Sequence, residues 1–387
     1  MTFGSRRPML GALGGALVYL LGIRSASGQA GPGATPQVAE AAFKNVQVLK
    51  GIPVDEFMDT MGMFSAALSL NCSDCHSQAS DKSGTWDAFA EDTPLKRTAR
   101  RMMLMVNTLN RDNFGGARFV TCWTCHRGDQ RPKVVPSLAV QYSAPLDDPN
   151  DVDIPAKGLP GAPSADQVFD TYVESLGGAE RLTRLTSFVA AGTYSGYDTD
   201  QAKVPVDIFA HAPSQRAVIV HTSLGDSVRT YDGRAGWIAA PDRPLPLLAL
   251  TGGNLDGAKT EAMLSFPAQL KQAFSPWRVG ETTLDDRDVQ VLRGTPVGQA
   301  PVTLYFDKQS GLLVRLVRLV DTPVGRVPTQ IDLADYRDVA GVKLPFRWIS
   351  TWTNGRSTTQ LSEVRPNLPI DAARFGRPAP APPLTLR

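Results

Sequence analysis

NCSDCHSQ at Asn71–Gln78 and TCWTCHRG at Thr121–Gly128 repeat one pattern, Cys-x-x-Cys-His. Together they hold every cysteine of the chain, Cys72, Cys75, Cys122 and Cys125, and two of its four histidines, His76 and His126. A lone Cys-x-x-Cys pair can be a redox dithiol. Two pairs can close a four-thiolate zinc site. Either pair can instead form a short disulfide loop. None of these requires a histidine directly after each pair. Covalent attachment of a c-type haem does, with two thioether bonds and the histidine as iron ligand. That chemistry alone uses every repeated residue, so the expected cofactors are two covalently attached c-type haems with iron.

Working outward, the N-terminus places Arg6 and Arg7 before an apolar run, Met9–Ile23, and then small residues around Ala26–Ala30. That is the order of a secretory signal peptide cleaved after Gly28 or Ala30. The run is short for a membrane span. The expected location is the periplasm, free or in association with a membrane. The 40 Lys and Arg residues nearly balance the 38 Asp and Glu, for a net charge of +2. Composition therefore offers no case for nucleic acid as a partner.

The expected fold class is multidomain α + β. A signal peptide (1–30) precedes an α-helical di-haem domain (31–132). A Pro-rich, acidic linker follows (133–163), then a β-rich, half-barrel-like domain (164–377) and a disordered tail (378–387). In the first domain a short helix is expected over Val38–Lys50. A second begins at Pro53, with Asp55 and Glu56 favouring its first turn. Phe57, Met61, Phe64 and Leu68 recur on one face of it. A third begins after Thr93 as N-cap and Pro94, runs to Asn110, and turns back at Gly115-Gly116. On it Met102, Met105 and Val106 share a face, and Met103 is rotated off it. A haem iron with one histidine has an open axial position, which methionine commonly fills in cytochromes c. Spacing alone gives one methionine per helix and does not choose between ligand and core filler.

The segments MGMFSAALSLNCSDCH, PLKRTARRMMLMVNTLN and VTCWTCHRG, with Trp86 between the first two, resemble the haem-binding units of the cytochrome subunit of photosynthetic reaction centres. The resemblance covers roughly residues 39–132. It implies that a helix carrying the axial methionine precedes each motif, and by position it assigns Met61 and Met102 as metal ligands beside His76 and His126. The family subunit characteristically carries four haems and often a lipid-anchoring cysteine. Here there are two motifs and no such cysteine. With both axial positions of each iron taken, no coordination site is free for a substrate. Electron transfer is the expected function rather than enzymatic catalysis, and no catalytic residue is assigned. Phe57, Phe64, Leu68, Trp86 and Trp123 are candidates to cover the haems. Lys96, Arg97, Arg100 and Arg101 form a basic stretch that reads either as a solvated helix face or as a docking surface.

The second domain opens with a helix capped by Ser164 and ending at Gly177-Gly178. Strands follow at 187–196, 204–211, 215–223 and 227–240, with a tight turn at Asp232-Gly233. A helical stretch over Leu255–Phe274 interrupts, and strands resume at 288–296, 302–319, 329–355 and 356–366. Hairpins in series with one helical interruption predict a curved antiparallel sheet around helices. The pattern, with YFDKQSGLLVRL and YRDVAGVKLPFRW, resembles the open barrel of outer-membrane lipoprotein carriers, which implies room for an acyl chain or a quinone in the concave face. His211 and His221 lie in strands without evident carboxylate companions and are read as ordinary residues. The expected partners are redox proteins of the periplasm, whether soluble or part of a membrane-bound electron-transfer complex. The alternative is a lipid- or quinone-binding half-barrel, or an oxidoreductase, that the haems serve.

Overall fold

The computed structural model describes residues 36–76, 86–136, 138, 148, 150–155, 161–296 and 299–382. The signal-peptide segment, much of 133–163 and the last residues of the tail lie outside them. The architecture is an N-terminal helical region followed by a large antiparallel sheet with interspersed helices.

The helical region holds α1 (Ala39–Ala42), α2 (Val54–Leu68), α3 (Cys72–Cys75), α4 (Pro94–Asn113) and α5 (Cys122–His126). Pro53, with φ −60°, is the N-cap of α2, and Asp55 and Glu56 lie in its first turn. Ser69, in the left-handed region at φ 51°, stops it. Thr93 caps α4 by accepting from the Lys96 N–H at 3.2 Å, and Pro94 occupies the first turn, where its missing N–H costs nothing. Beyond α4, Gly115 and Gly116 take φ values of 58° and 81°, which a side chain would resist. The helix expected over Val38–Lys50 is a single turn. Val38 instead bridges Pro53, and Asn45 turns left-handed so that its amide reaches the Ala90 carbonyl and the Asp92 carboxylate. Those tertiary bonds outweigh a weak local helix preference.

Next come α6 (Ala165–Ser175) and α7 (Ala179–Arg184), then β1 (Ser187–Gly196), β2 (Val204–His211), β3 (Gln215–Thr222), β4 (Gly225–Tyr231), β5 (Gly236–Ala239) and β6 (Leu248–Ala249). Helices α8 (Gly252–Leu264) and α9 (Leu270–Ala273) interrupt. The chain ends through β7 (Trp277–Leu284), β8 (Arg287–Gly294), β9 (Val302–Asp307), β10 (Leu313–Thr322), β11 (Gly325–Val339), β12 (Val342–Trp352) and β13 (Gly355–Pro366). Two meanders, β1–β6 and β7–β13, join where β1 pairs with β13, giving one 13-stranded sheet with β6 and β7 at its edges. Its main core sets Ala190, Val206, Ile208, Leu304 and Leu316 from the strands against Val168, Phe169 and Tyr172 of α6, Met263 of α8 and Leu270 of α9. Helices therefore pack against the sheet to close this core.

A second cluster joins the two regions. Leu49, Met63 of α2 and Met103 of α4 pack with Val320, Val324 and Val327 around the β10–β11 hairpin. The described residues, from 36 to 382, accordingly belong to one compact unit. Within the stretch read as linker, Val152 and Ile154 are buried against Leu284, Val289, Val291 and Tyr305. None of the described helices is long and apolar enough to cross a membrane.

Candidate haem-binding site

Each Cys-x-x-Cys-His motif is wound into one short helical turn with its own cap. Asn71 accepts from the Asp74 N–H, while the Asp74 carboxylate accepts from the Asn71 N–H. Thr121 and Thr124 make the same reciprocal box ahead of Cys122. The capping box fixes where each turn begins. A helical turn brings residues i, i+3 and i+4 to one side, so each pair of cysteines and its histidine share a face. This spacing is the one that haem c attachment requires.

The histidines are held in matching ways. His76 Nδ1 lies 2.9 Å from the Phe89 carbonyl oxygen, and His126 Nδ1 lies 3.0 Å from that of Asp129. A carbonyl can only accept, so Nδ1 carries the proton and Nε2 keeps its lone pair. That is the tautomer a metal ligand needs. Burial holds His76 below the usual imidazole range, and the Lys96 charge acts in the same direction.

The thiols are poor candidates for dithiol redox chemistry, which depends on a stabilised thiolate. Burial instead raises Cys75 and pushes Cys122 up to about 11. All four cysteines are free. Among the described residues, no three His, Cys, Asp or Glu side chains converge as a metal set, so the two pairs do not build one zinc site.

The two motifs are interleaved. The α5 turn leans on α2, where the Gly128 N–H donates to the Ala67 carbonyl at 3.0 Å and the Ser69 hydroxyl donates to the Gly128 carbonyl at 2.6 Å. The α3 turn is tied to the start of α4 by the Thr93 hydroxyl, which donates to the Cys75 carbonyl at 2.7 Å. Asn110 of α4 clasps the approach to the second motif, bonding both the carbonyl and the N–H of Val120 at 2.7 and 2.9 Å. On the far side the Cys122 N–H donates to the Val324 carbonyl at 3.3 Å. The Arg118 guanidinium donates to the Thr322 carbonyl.

The methionines divide by environment. Met63 and Met103 are buried between the helices and the β10–β11 hairpin. Met61 is half-buried at the edge of that cluster, and Met102 is exposed. The face expected to group Val106 with Met102 and Met105 divides differently. Val106 is buried alongside Met103, whereas Met105 is exposed with Met102. Phe57, Phe64 and Leu68 are half-buried, Trp123 is exposed, and the side chain of Trp86 lies outside the described residues. Exposed Phe114 and Phe119 stack at 5.5 Å just ahead of the second motif. Donor set, histidine orientation and flanking apolar side chains together fit a haem c at each motif.

Residues 25–146 match the family of the photosynthetic reaction centre cytochrome C subunit. The subunit of Thermochromatium tepidum is 36% identical over 99 residues, which are 24% of this chain and 23% of that protein. The subunit of Rubrivivax gelatinosus is 31% identical over 130 residues, 31% of this chain and 33% of that protein. The chain thus spans between a quarter and a third of the length of these relatives. Match and motif spacing make the N-terminal region cytochrome c-like, of the electron-transfer type. The sheet weakly resembles two solved structures. A LolA superfamily protein from Nitrosomonas europaea has a TM-score of 0.39 and 16% identity, covering 56% of this chain and 99% of that one. A putative outer membrane lipoprotein-sorting protein domain from Vibrio parahaemolyticus has a TM-score of 0.34 and 11% identity, covering 51% and 93%.

Two sequence readings change with the structure. His221 does have carboxylate companions. Its Nδ1 is 2.8 Å from Asp226 and its Nε2 is 3.1 Å from Asp207, one on each neighbouring strand. These bonds raise its pKa, Asp207 most. The basic stretch is partly tied down. Lys96 donates to the Phe89 and Glu91 carbonyls, and Arg100 pairs with Asp92 at 2.7 Å.

Proposed function

We propose that this chain is an exported di-haem c-type cytochrome that carries electrons, with one haem held by Cys72, Cys75 and His76 and the other by Cys122, Cys125 and His126. The observation that carries the reading is the matched setting of the two histidines, each with Nδ1 bonded to a main-chain carbonyl and Nε2 free to ligate. A haem c supplies reversible one-electron chemistry at its iron. The chain's own residues bind, orient and shield it.

Met61 and Met102 are the proposed second axial ligands, because Met63 and Met103 are committed to packing against the sheet. A thioether opposite a histidine favours ferrous iron and raises the potential. The apolar run ahead of the small residues at 26–30 supports export to the periplasm. Periplasmic redox proteins, including a membrane-bound electron-transfer complex, are the proposed partners. Residues 31–132 and 164–377 are the proposed haem-bearing and sheet domains. A lipid or quinone ligand of the sheet domain is the alternative reading, in which the haems serve that domain.

Potentiometric titration followed in the visible spectrum tests the reading. Two one-electron transitions are expected, with a ferric charge-transfer band from sulfur-to-iron ligation. A single transition, or no such band, would overturn it.

A further inference from the structure

The two histidines differ in what else their carbonyl partners hold. The Phe89 oxygen that accepts from His76 Nδ1 also accepts from Lys96 Nζ at 2.9 Å. The same ammonium is pinned by the Glu91 carbonyl at 2.6 Å. Lys96 is half-buried in the first turn of α4, where Thr93 bonds both the Lys96 N–H and the Cys75 carbonyl. Cys75, His76, Thr93 and Lys96 therefore form one connected network. Of the acids around it, Asp74 within the motif accepts from the Asn71 N–H at 2.8 Å, and Asp92 is engaged by Arg100 at 2.7 Å.

The second motif is set differently. His126 Nδ1 bonds the main-chain oxygen of Asp129, a residue that itself carries a carboxylate. That carboxylate accepts from the Arg131 N–H at 3.2 Å, and Lys133 reaches it at 3.8 Å.

A carbonyl that accepts from an imidazole N–H pushes electron density onto the ring and makes it a better donor to ferric iron. An ammonium on the same oxygen draws that density away. It also places a positive charge on the far side of the oxygen that His76 bonds, which would disfavour the more positive oxidation state of an iron held by that ring. Among the described residues, the second histidine's carbonyl partner carries no such ammonium. We infer that Lys96, by sharing the Phe89 carbonyl with His76, holds the first haem at a higher potential than the second. Electrons entering at the second motif then settle at the first. Lys96 is a positioning residue, acting on the iron through His76, and the inference rests on the di-haem reading above.

Substitution in the full-length holoprotein tests it, with intact mass read on every variant. Lys96→Met removes the charge at similar length, Lys96→Gln leaves a neutral donor, and Lys96→Arg keeps the charge. Met and Gln are expected to shift the reduction equilibrium of one haem about tenfold toward oxidation, or about 59 mV for one electron. The other haem should move less than about twofold, and Arg should stay close to the parent. Cys72→Ser/Cys75→Ser, which removes the first attachment, identifies the haem concerned. Its remaining transition should not respond to Lys96→Met. Two haems by mass with neither transition moved, or with both moved equally, would overturn the inference and leave the di-haem reading intact. Fewer than two haems in the parent protein would overturn the reading itself.

Discussion

Substituting Gly325 tests whether haem region and sheet are one folded body. Gly325 begins β11 with φ 153°, a conformation that side chains rarely adopt. Holding alanine there costs roughly 1–3 kcal/mol. A Cβ at this position would sit 2.5 Å from Met63 Cε and 3.2 Å from Thr121 Cβ. Met63 can move its end, but it is buried among Val320, Val324 and Val327, and overpacking of that kind costs about 1–3 kcal/mol more. Gly325→Ala should therefore lose roughly 2–6 kcal/mol in urea unfolding. Far-ultraviolet circular dichroism and haem absorbance should report one shared midpoint. In a Met63→Ala background, itself about 2–5 kcal/mol weaker, the clash with Met63 disappears, while the backbone part and the tight contact with Thr121 remain. A loss below about 0.5 kcal/mol, or separate midpoints for the two probes, would refute the reasoning; so would equal costs in both backgrounds.

Met61→His and Met102→His should each lower the potential of one haem, and Met63→His and Met103→His should change stability more than potential; loss of the ferric charge-transfer band only in the Met63 or Met103 variants would reverse the assignment. Proteolysis within 133–163 should cut this Pro-rich stretch, yet the nicked halves should co-elute until urea separates them, because Met63 and Met103 are buried against the hairpin; a coloured fragment eluting alone would contradict this. His221 has a raised folded-state pKa, so its contribution is fully present below the unfolded value of about 6.5 and is lost as pH rises through the folded value. Asp207→Asn should flatten that pH dependence in urea midpoints, and an unchanged slope would count against it.

The chemistry of this chain was legible where local pattern is decisive. The attachment residues follow from one repeated pentapeptide, and β1 and β2 follow from alternation bounded by turn residues. The caps at Thr93 and Ser164 were equally readable. Contacts between distant segments were not. Strand β7, at the sheet edge, reads as polar and broken by Gly280, and is placed by pairing with β8. Asp207 and Asp226 meet His221 only through strand register. The hairpin beneath Cys122 is some 200 residues away in the chain, and the Phe89 carbonyl shared by His76 and Lys96 is a main-chain atom that no side-chain pattern reveals.

Cofactor stoichiometry bears most directly on the whole account. Pyridine-haemochrome absorbance combined with intact mass should give two covalent haems per chain, one on Cys72 and Cys75 and one on Cys122 and Cys125. A single haem, or a mass matching the bare chain with bound zinc, would contradict it.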